Sequence, residues 1–276
     1  MPIYQAVVLA IIQALTEFLP VSSSGHLIVV PKLLGWNDGG LTFDIALHAG
    51  TLVAIIIYFF RDWVQIIGQG LGLNIGHNPE LKANPRLLWL FVVGSIPAGI
   101  VGVVFGKQAE SSWRDLYLIG SMLIVIGVFM WIAERASKGD KLLSKVGWGD
   151  AIVIGTAQAL ALVPGTSRSG ITISTGLFRG FTRETAARFS FLLGTPAIAG
   201  AALKGAWDIH KAGGIAPDMR MPFLVGTLLS AVLGAVVIAY FLRYLRRHSL
   251  MPFVYYRIIF GIIVIALAAF FRFNAE

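Results

Sequence analysis

Cysteine is absent and charged residues are scarce in this chain of 276 residues. Without cysteine, neither disulfide bonds nor thiol chemistry can contribute. Charged residues make up 13% of the sequence, whereas a soluble domain carries about 25%. The amino-terminal segment also lacks the basic start and the small-residue cleavage site of a signal peptide. These absences exclude a disulfide scaffold and a thiol enzyme, and they argue against a soluble domain.

Long apolar runs take the place of the missing charge, since 57% of the residues are hydrophobic. Most runs approach the roughly 20 residues that a helix needs to cross a bilayer, and they show almost none of the polar face of a water-soluble helix. The runs are 42–60, 87–106, 116–133, 189–203, 221–242 and 258–271. The sequence therefore predicts an all-α integral membrane protein in which residues 1–276 form a single membrane domain.

The net charge of +8 also fits a membrane protein. Lys and Arg accumulate in the cytoplasmic loops of such proteins, and no basic groove with interleaved aromatic side chains indicates nucleic acid. The loops after Phe60, Glu134, Phe178 and Leu242 carry 13 of the 22 Lys and Arg residues, and the loops of the other side carry 7. We expect the side with 13 to be cytoplasmic, and we expect no nucleic-acid partner.

Comparison of the sequence with itself indicates an internal repeat. At an offset of 144 residues, Pro20 aligns with Pro164 and Gly50 aligns with Gly194. Further matches at offsets of 132 and 141 keep the same order along the chain. A repeat of this length predicts two copies of one structural unit within the membrane domain.

Each copy, at about 1–135 and 148–272, has the same internal plan. A short apolar segment leads into a break rich in Pro, Gly and Ser, at 20–25 and 164–170, and a second short segment and three longer spans follow. The short segments cannot cross a bilayer at about 1.5 Å per residue, so we predict two re-entrant helix–loop–helix pairs and six spans. Because each copy crosses three times, the copies must have inverted topology, a plan that places sites near the midplane.

Polar residues gather around the first break. Gln13 and Glu17 are four residues apart, so on a helix they share a face. Glu17 is an ionisable residue within an apolar segment, which by default marks a functional site. The break adds three serines beginning at Ser22, a glycine and His26. The alternative interpretation is a structural carboxylate that pairs with a buried cation such as Arg257.

The second break has the parts of an oxyanion site. Its glycines allow a ligand to approach the backbone closely, and a helix starting near Ser169 would direct its amides and positive dipole end at the loop. Arg168 can hold a phosphate through two hydrogen bonds. The candidate phosphate-binding residues, together with Ser22, are Gly165, Thr166, Ser167, Ser169 and Thr172. The alternative is a helix cap beside an arginine that reaches out to a loop.

An inverted repeat would bring the two breaks together. An anion site beside a carboxylate, an imidazole and free hydroxyls suits phosphoryl transfer, which needs positioning, charge neutralisation and an activated nucleophile. Mg²⁺ usually takes one or two carboxylates together with substrate phosphates and water. We therefore expect a divalent cation that is held between Glu17, Gln13 and the substrate.

The polar residues outside the two breaks give weaker indications of function. His48 and Asp44 are four apart at the start of a span, and we interpret them as a buried hydrogen-bonded pair and not as metal ligands. His77 and His210 lie in polar loops, where solvated side chains are expected. Arg257 stands at the start of the last span, and its role as a second cation at the site or as an interfacial anchor stays open.

The two breaks resemble the signature motifs of the undecaprenyl-diphosphate phosphatase family, the bacitracin-resistance type. The first motif, Glu or Gln followed after three residues by Glu, falls on Gln13 and Glu17 and continues into the Pro-Val-Ser-Ser-x-Gly-His stretch at 20–26. The second motif, Pro-Gly-x-Ser-Arg-Ser-x-x-Thr, is matched at every fixed position by residues 164–172. The resemblance extends over the whole chain in its length, span count and repeat.

This resemblance implies hydrolysis of undecaprenyl diphosphate to the monophosphate, with Mg²⁺ or Ca²⁺, in the bacterial inner membrane. The lipid product carries cell-wall precursors, and the activity confers bacitracin resistance. The carried-over roles are Ser23 as nucleophile, Glu17 as base or metal ligand, His26 as acid–base or orienting group and Arg168 as phosphate clamp. Because the first motif begins with Gln13 and not with the Glu of some members, an amide oxygen would replace a second carboxylate at the cation.

Several alternatives stay open at the level of sequence. Another serine or a metal-activated water is a rival to Ser23 as nucleophile. A transporter or flippase of polyprenyl phosphate is the alternative function, because inverted repeats with broken helices are typical of transporters. Such a protein would need Arg168 but would not need Ser23, Glu17 and His26 together. The sequence is also compatible with a homodimer.

Overall fold

The computed structural model describes residues 1–36 and 40–273. Among these residues there is no β-strand, and one isolated bridge joins Lys141 and Phe181. The helices are α1 Ile3–Phe18, α2 Ser23–Leu34, α3 Gly40–Tyr58, α4 Phe60–Gly70, α5 Pro79–Lys82, α6 Leu87–Glu110, α7 Leu116–Ala136, α8 Trp148–Ala159, α9 Arg168–Phe178, α10 Arg183–Lys211, α11 Arg220–Leu245 and α12 Met251–Phe273. The all-α prediction is confirmed.

Five helices of the described chain are long and apolar enough to cross a membrane, namely α6, α7, α10, α11 and α12. A sixth span results if α3 and α4 are counted as one bent pair, with an angle of 74° between them. The bend falls where the first charged residues, Arg61 and Asp62, follow the apolar run of α3. Five of the six predicted runs thus lie in one helix each, the run 42–60 extends from α3 to the first residue of α4, and the chain is a multi-pass membrane protein.

The two predicted breaks are turns between short helices, and both turns are shorter than the sequence suggested. At each turn a serine caps the next helix, since Ser22 Oγ accepts from the Gly25 amide and Ser167 Oγ accepts from the Gly170 amide. These caps start α2 and α9 at Ser23 and Arg168. The predicted breaks 20–25 and 164–170 therefore end too late, because capped first turns are already helical.

Close helix packing surrounds these turns and depends on small residues. An added Cβ at Gly155 of α8 would overlap the Gly94 backbone of α6, and one at Gly50 of α3 would overlap the Thr227 carbonyl of α11. Gly120 of α7 likewise lies against α12. Small residues allow backbones to approach in the membrane, where apolar side chains gain little from leaving lipid. The short helix α8 is thereby packed closely against α6.

Ion pairs show which loops meet at each end of the bundle. At one end, Glu134 contacts Arg183, Asp62 lies 2.8 Å from Arg188, Glu184 lies 2.8 Å from Arg246, and Asp150 lies 2.9 Å from Arg179. At the other end, Asp44 pairs with Arg114, and the Met1 amino group contacts Met219. α1 begins at this second end, whereas α8 begins at the first. The inverted relation of two repeats stays a prediction.

Candidate active site

The two turns meet at the carboxylate of Glu17, which is buried near the end of α1. Its Oε2 accepts a hydrogen bond of 2.7 Å from Ser23 Oγ at the start of α2. Its Oε1 accepts a hydrogen bond of 3.2 Å from an Arg168 guanidinium nitrogen at the start of α9. Glu17 therefore pairs with Arg168, and the alternative pairing with Arg257 is wrong.

The same local backbone presents Ser23 and Arg168. The residue before each, Ser22 or Ser167, has a positive φ of 76° or 68°. These are the non-glycine residues of the described chain with positive φ, and such a conformation costs about 1–3 kcal/mol, persists only under strong surrounding constraint and clusters at functional sites. Ser23 and Arg168 thus hold equivalent helix-start positions on the two sides of Glu17.

Several predicted phosphate ligands bind protein groups that join the two turns. Ser169 Oγ lies 3.3 Å from the Glu17 carbonyl oxygen and 3.2 Å from the Leu19 carbonyl oxygen. Thr172 Oγ1 donates to the Arg168 carbonyl at 2.7 Å and lies 2.6 Å from Ser190 Oγ. Ser169 therefore binds the backbone of the first turn, and Thr172 binds the backbone of Arg168 and the Ser190 side chain. Their contact with a phosphate stays a prediction, as it does for Ser22 and Ser167.

Gly165 belongs to the same turn through its backbone. Its φ of 91° lies in the region that favours glycine, and an added Cβ would overlap the Ile119 backbone of α7. Its amide lies 3.5 Å from Ser24 Oγ of the first turn. The position therefore needs glycine for both conformation and space.

Three buried polar atoms at this centre have no hydrogen-bond partner within the described chain. They are Arg168 Nε, Thr166 Oγ1 and Gln13 Oε1. Buried polar atoms are nearly always satisfied in native structures, and each exception calls for an explanation such as a ligand or ion. Two of these atoms can donate to a phosphate, and the third is an acceptor. The set fits an anion together with a cation.

The predicted cation ligands, Gln13 and Glu17, lie beside each other, and their role stays a prediction. Gln13 Nε2 lies 3.4 Å from Glu17 Oε2, which leaves the Gln13 carbonyl oxygen unpaired. Each oxygen of a carboxylate can accept about two hydrogen bonds, so Glu17 retains capacity. The described residues contain no group of three or more His, Cys, Asp or Glu side chains suited to a metal. A cation here would therefore depend on Glu17, Gln13 and the phosphates of the substrate.

His26 faces away from this centre and is only 5% exposed. Its Nδ1 lies 2.7 Å from the Ser22 carbonyl oxygen, and its Nε2 lies 2.6 Å from the Tyr256 hydroxyl. The ring also stacks on Phe260, with 4.4 Å between the ring centres. Both nitrogens are thus engaged by protein groups.

His48 is a residue of the site that the sequence interpretation missed. Its Nε2 lies 3.6 Å from Glu17 Oε2, and its Nδ1 lies 2.7 Å from the backbone carbonyl of Asp44. The predicted hydrogen bond between His48 and Asp44 is thus present through the Asp44 backbone carbonyl, while the Asp44 carboxylate pairs with Arg114. The available signal for the contact with Glu17 was position, since His48 lies two residues before the repeated Gly50.

Arg257 is fully buried and donates to backbone carbonyls, so it is not an interfacial anchor, and its role as a second cation at the site stays a prediction. It contacts Pro20 O of the first turn at 3.3 Å, and Gly165 O and Thr166 O of the second at 2.9 and 3.0 Å. It also reaches the carbonyls of α7 at Leu123. Arg257 therefore holds both turns together from behind.

Gly194→Ala should reduce catalytic turnover, because an added Cβ would overlap the Arg168 guanidinium. The guanidinium can move only by leaving Glu17 and the Ser190 carbonyl. We expect a loss of about 10²-fold in kcat/KM, the cost of a misplacement near 1 Å. Gly200→Ala on the same helix meets open space and serves as the control, and equal activities of the two variants would contradict this account.

Taken together, the fold and the site define a class: a multi-pass helical membrane protein whose buried Ser–Glu–Arg centre is assembled from two interrupted helices. Comparisons with known proteins specify the family. The family described as bacitracin resistance protein BacA matches residues 6–263, and the chain belongs to this family.

Curated relatives match along their full lengths. A protein of Chloroherpeton thalassium named undecaprenyl-diphosphatase is 44% identical over 285 aligned residues, which cover 100% of both chains. Proteins of the same name from Trichlorobacter lovleyi and Moorella thermoacetica are 46% and 44% identical and cover 97% and 96% of this chain. The two alignments cover 97% and 98% of the relatives' own lengths.

Proposed function

We propose that this protein hydrolyses undecaprenyl diphosphate to undecaprenyl phosphate and inorganic phosphate. It thereby recycles the lipid carrier of cell-wall synthesis and confers bacitracin resistance, as its family does. The observation that carries the proposal is the contact of Ser23 and Arg168 with one buried carboxylate, Glu17. A binding protein would need the arginine but would not need a hydroxyl aligned on a base. The geometry thus favours an enzyme over a transporter.

Ser23, Glu17 and Arg168 supply the chemistry in this proposal. Ser23 Oγ attacks the terminal phosphorus, Glu17 accepts the hydroxyl proton, and the bridging P–O bond breaks so that undecaprenyl phosphate leaves with that proton. Glu17 then takes a proton from the water that attacks the phosphoserine, and it returns this proton to Ser23 Oγ as the P–O bond to Ser23 breaks and inorganic phosphate is released. Arg168 neutralises the charge that develops on the phosphoryl oxygens. Direct attack by an activated water is the rival mechanism.

The remaining site residues support this reaction. Glu17 and Gln13 would hold a divalent cation, Mg²⁺ or Ca²⁺, which would neutralise part of the diphosphate charge. The unpartnered Thr166 hydroxyl and Arg168 Nε would donate to phosphate oxygens. The prenyl tail would lie in the bilayer, and the bacterial inner membrane is the proposed location. A lipid substrate is what a phosphatase embedded in the membrane is expected to bind.

The test is phosphate release from undecaprenyl diphosphate by the full-length protein in detergent. We expect release with Mg²⁺ or Ca²⁺, a loss on chelation and recovery on adding the cation back. Ser23→Ala should lower the rate by about 10³-fold or more, as loss of a nucleophile does. Ser111→Ala, an exposed serine far from the site, is the matched control.

The outcomes distinguish the competing functions. Trapping of a radiolabelled phosphoserine in the parent and not in Ser23→Ala would support covalent catalysis. A Ser23→Ala variant with parental activity would favour the water mechanism. A parent that binds the lipid but releases no phosphate with either cation would overturn the phosphatase proposal, and lipid flux in liposomes would then be the relevant measurement.

A further inference from the structure

The hydrogen bonds of His26 have a defined direction. The Ser22 carbonyl oxygen can only accept, so the Nδ1 atom at 2.7 Å carries the proton. In the neutral ring, Nε2 is then an acceptor, and the Tyr256 hydroxyl at 2.6 Å donates to it. A hydrogen-bonded partner at one ring nitrogen thus fixes the tautomer at the other. The order of donation is Tyr256 to His26 to Ser22.

The last acceptor in this order is the strained residue of the first turn. Ser22 has a φ of 76°, and its carbonyl accepts from both the ring and the backbone amide of His26. Because the peptide unit is planar, holding the Ser22 carbonyl also orients the amide and Cα of Ser23. Ser23 Oγ is thereby kept 2.7 Å from Glu17.

We propose that Tyr256 and His26 are positioning residues for the reaction: the Tyr256 hydroxyl fixes the ring of His26, and the ring holds the Ser22 backbone that presents Ser23 to Glu17. This inference rests on the proposed function, in which Ser23 is the nucleophile. It assigns a role to Tyr256, which sequence motifs did not single out. It also separates His26 from direct acid–base chemistry.

The surroundings of the ring support positioning over proton transfer. Both ring nitrogens are engaged, and the ring faces lie against Tyr256 and Phe260. The charged group that α12 brings to this turn, Arg257, is buried and donates to the Pro20 carbonyl. Glu17, the group that contacts the Ser23 hydroxyl, makes no hydrogen bond to His26 in the structure. A general acid or base must lie within hydrogen-bond reach of the proton that it moves.

Tyr256→Phe tests the first step in the full-length protein. We expect kcat to fall about tenfold, the scale of one lost hydrogen bond, with KM within about twofold of the parent. Tyr255→Phe is the matched control, because Tyr255 is 59% exposed and Tyr256 is 44% exposed, and Tyr255 makes no hydrogen bond to His26. Equal kcat values for Tyr256→Phe and the parent would overturn the proposal.

His26→Asn and His26→Ala test the second step. An asparagine amide can place a donor near the position of Nδ1 and cannot titrate. We therefore expect His26→Asn to be at least about tenfold more active than His26→Ala. The pH profile of kcat/KM should keep the limbs of the parent in His26→Asn. Loss of one limb, with activity as low as in His26→Ala, would show acid–base catalysis and overturn the inference.

These experiments separate two kinds of failure. If the parent releases phosphate and Tyr256→Phe matches it, the positioning inference fails while the proposed function stands. If the parent releases no phosphate from undecaprenyl diphosphate, the proposed function fails, and the inference fails with it. Thermal denaturation of each variant completes the comparison, because unfolding of Tyr256→Phe below the assay temperature would assign Tyr256 to stability and contradict a positioning role.

Discussion

Arg168→Lys should lower kcat/KM for undecaprenyl diphosphate by about 10²- to 10³-fold, the range for removal of one preorganised charge-stabilising donor. The substitution keeps the positive charge but loses the planar donor set. In the structure, one guanidinium nitrogen donates to Glu17 and another to the Ser190 carbonyl, and Nε is buried without a partner. An ammonium group cannot reach the carboxylate and also offer two parallel donors to a phosphate. The positive charge of lysine alone is therefore insufficient to replace the Arg168 guanidinium.

Steady-state phosphate release over a range of lipid concentrations measures this effect. Arg243→Lys is the control, because Arg243 is an exposed arginine on α11 without an ion pair to the site. We expect the control to stay within about twofold of the parent, as surface substitutions usually do. An Arg168→Lys variant with more than a tenth of parental kcat/KM would contradict the assignment of Arg168 as a bidentate clamp.

The sequence predicted the parts of this site that depend on composition and spacing. Long apolar runs predicted the spans, and the Pro, Gly and Ser residues at 20–25 and 164–170 predicted interruptions in short helices. The spacing of Gln13 and Glu17 predicted a shared helix face, and the two side chains do lie together. Such features are local, so helix geometry alone is enough to predict them.

The contacts between distant segments could not be predicted in the same way. The partner of Glu17 is Arg168. The chain has 22 Lys and Arg residues, and their spacing in the sequence does not indicate which of them pairs with Glu17. His48 reaches Glu17 because α3 packs beside α1, whereas its spacing from Asp44 predicted only the local hydrogen bond. The hydrogen bond of Tyr256 with His26 joins residues at opposite ends of the sequence. Tertiary packing decides these pairs.

Arg257 is the strongest example of a residue whose contacts depend on tertiary packing. We expect Arg257→Met to abolish most of the activity. Methionine fills much of the volume but leaves the carbonyls of Pro20, Gly165 and Thr166 without the donor that they share. A buried polar group that loses its partner costs about 1–3 kcal/mol. Relief of the buried charge offsets part of that cost, so the larger effect is on geometry. We expect kcat/KM to fall by about 10²-fold or more, since small misplacements of reacting groups have that effect.

Two comparisons distinguish a role in holding the turns from a general effect of removing an arginine. Arg257→Lys keeps the charge and offers three donors, so we expect it to recover part of the activity and of the thermal midpoint. Arg246→Met removes an arginine that is 64% exposed on the side chain and pairs with Glu184, and such surface pairs contribute about 0–1 kcal/mol. If Arg257→Met retained parental kcat/KM, the turns would hold their geometry without this cation, and the positions of Ser23 and Arg168 would have to depend on the serine caps alone.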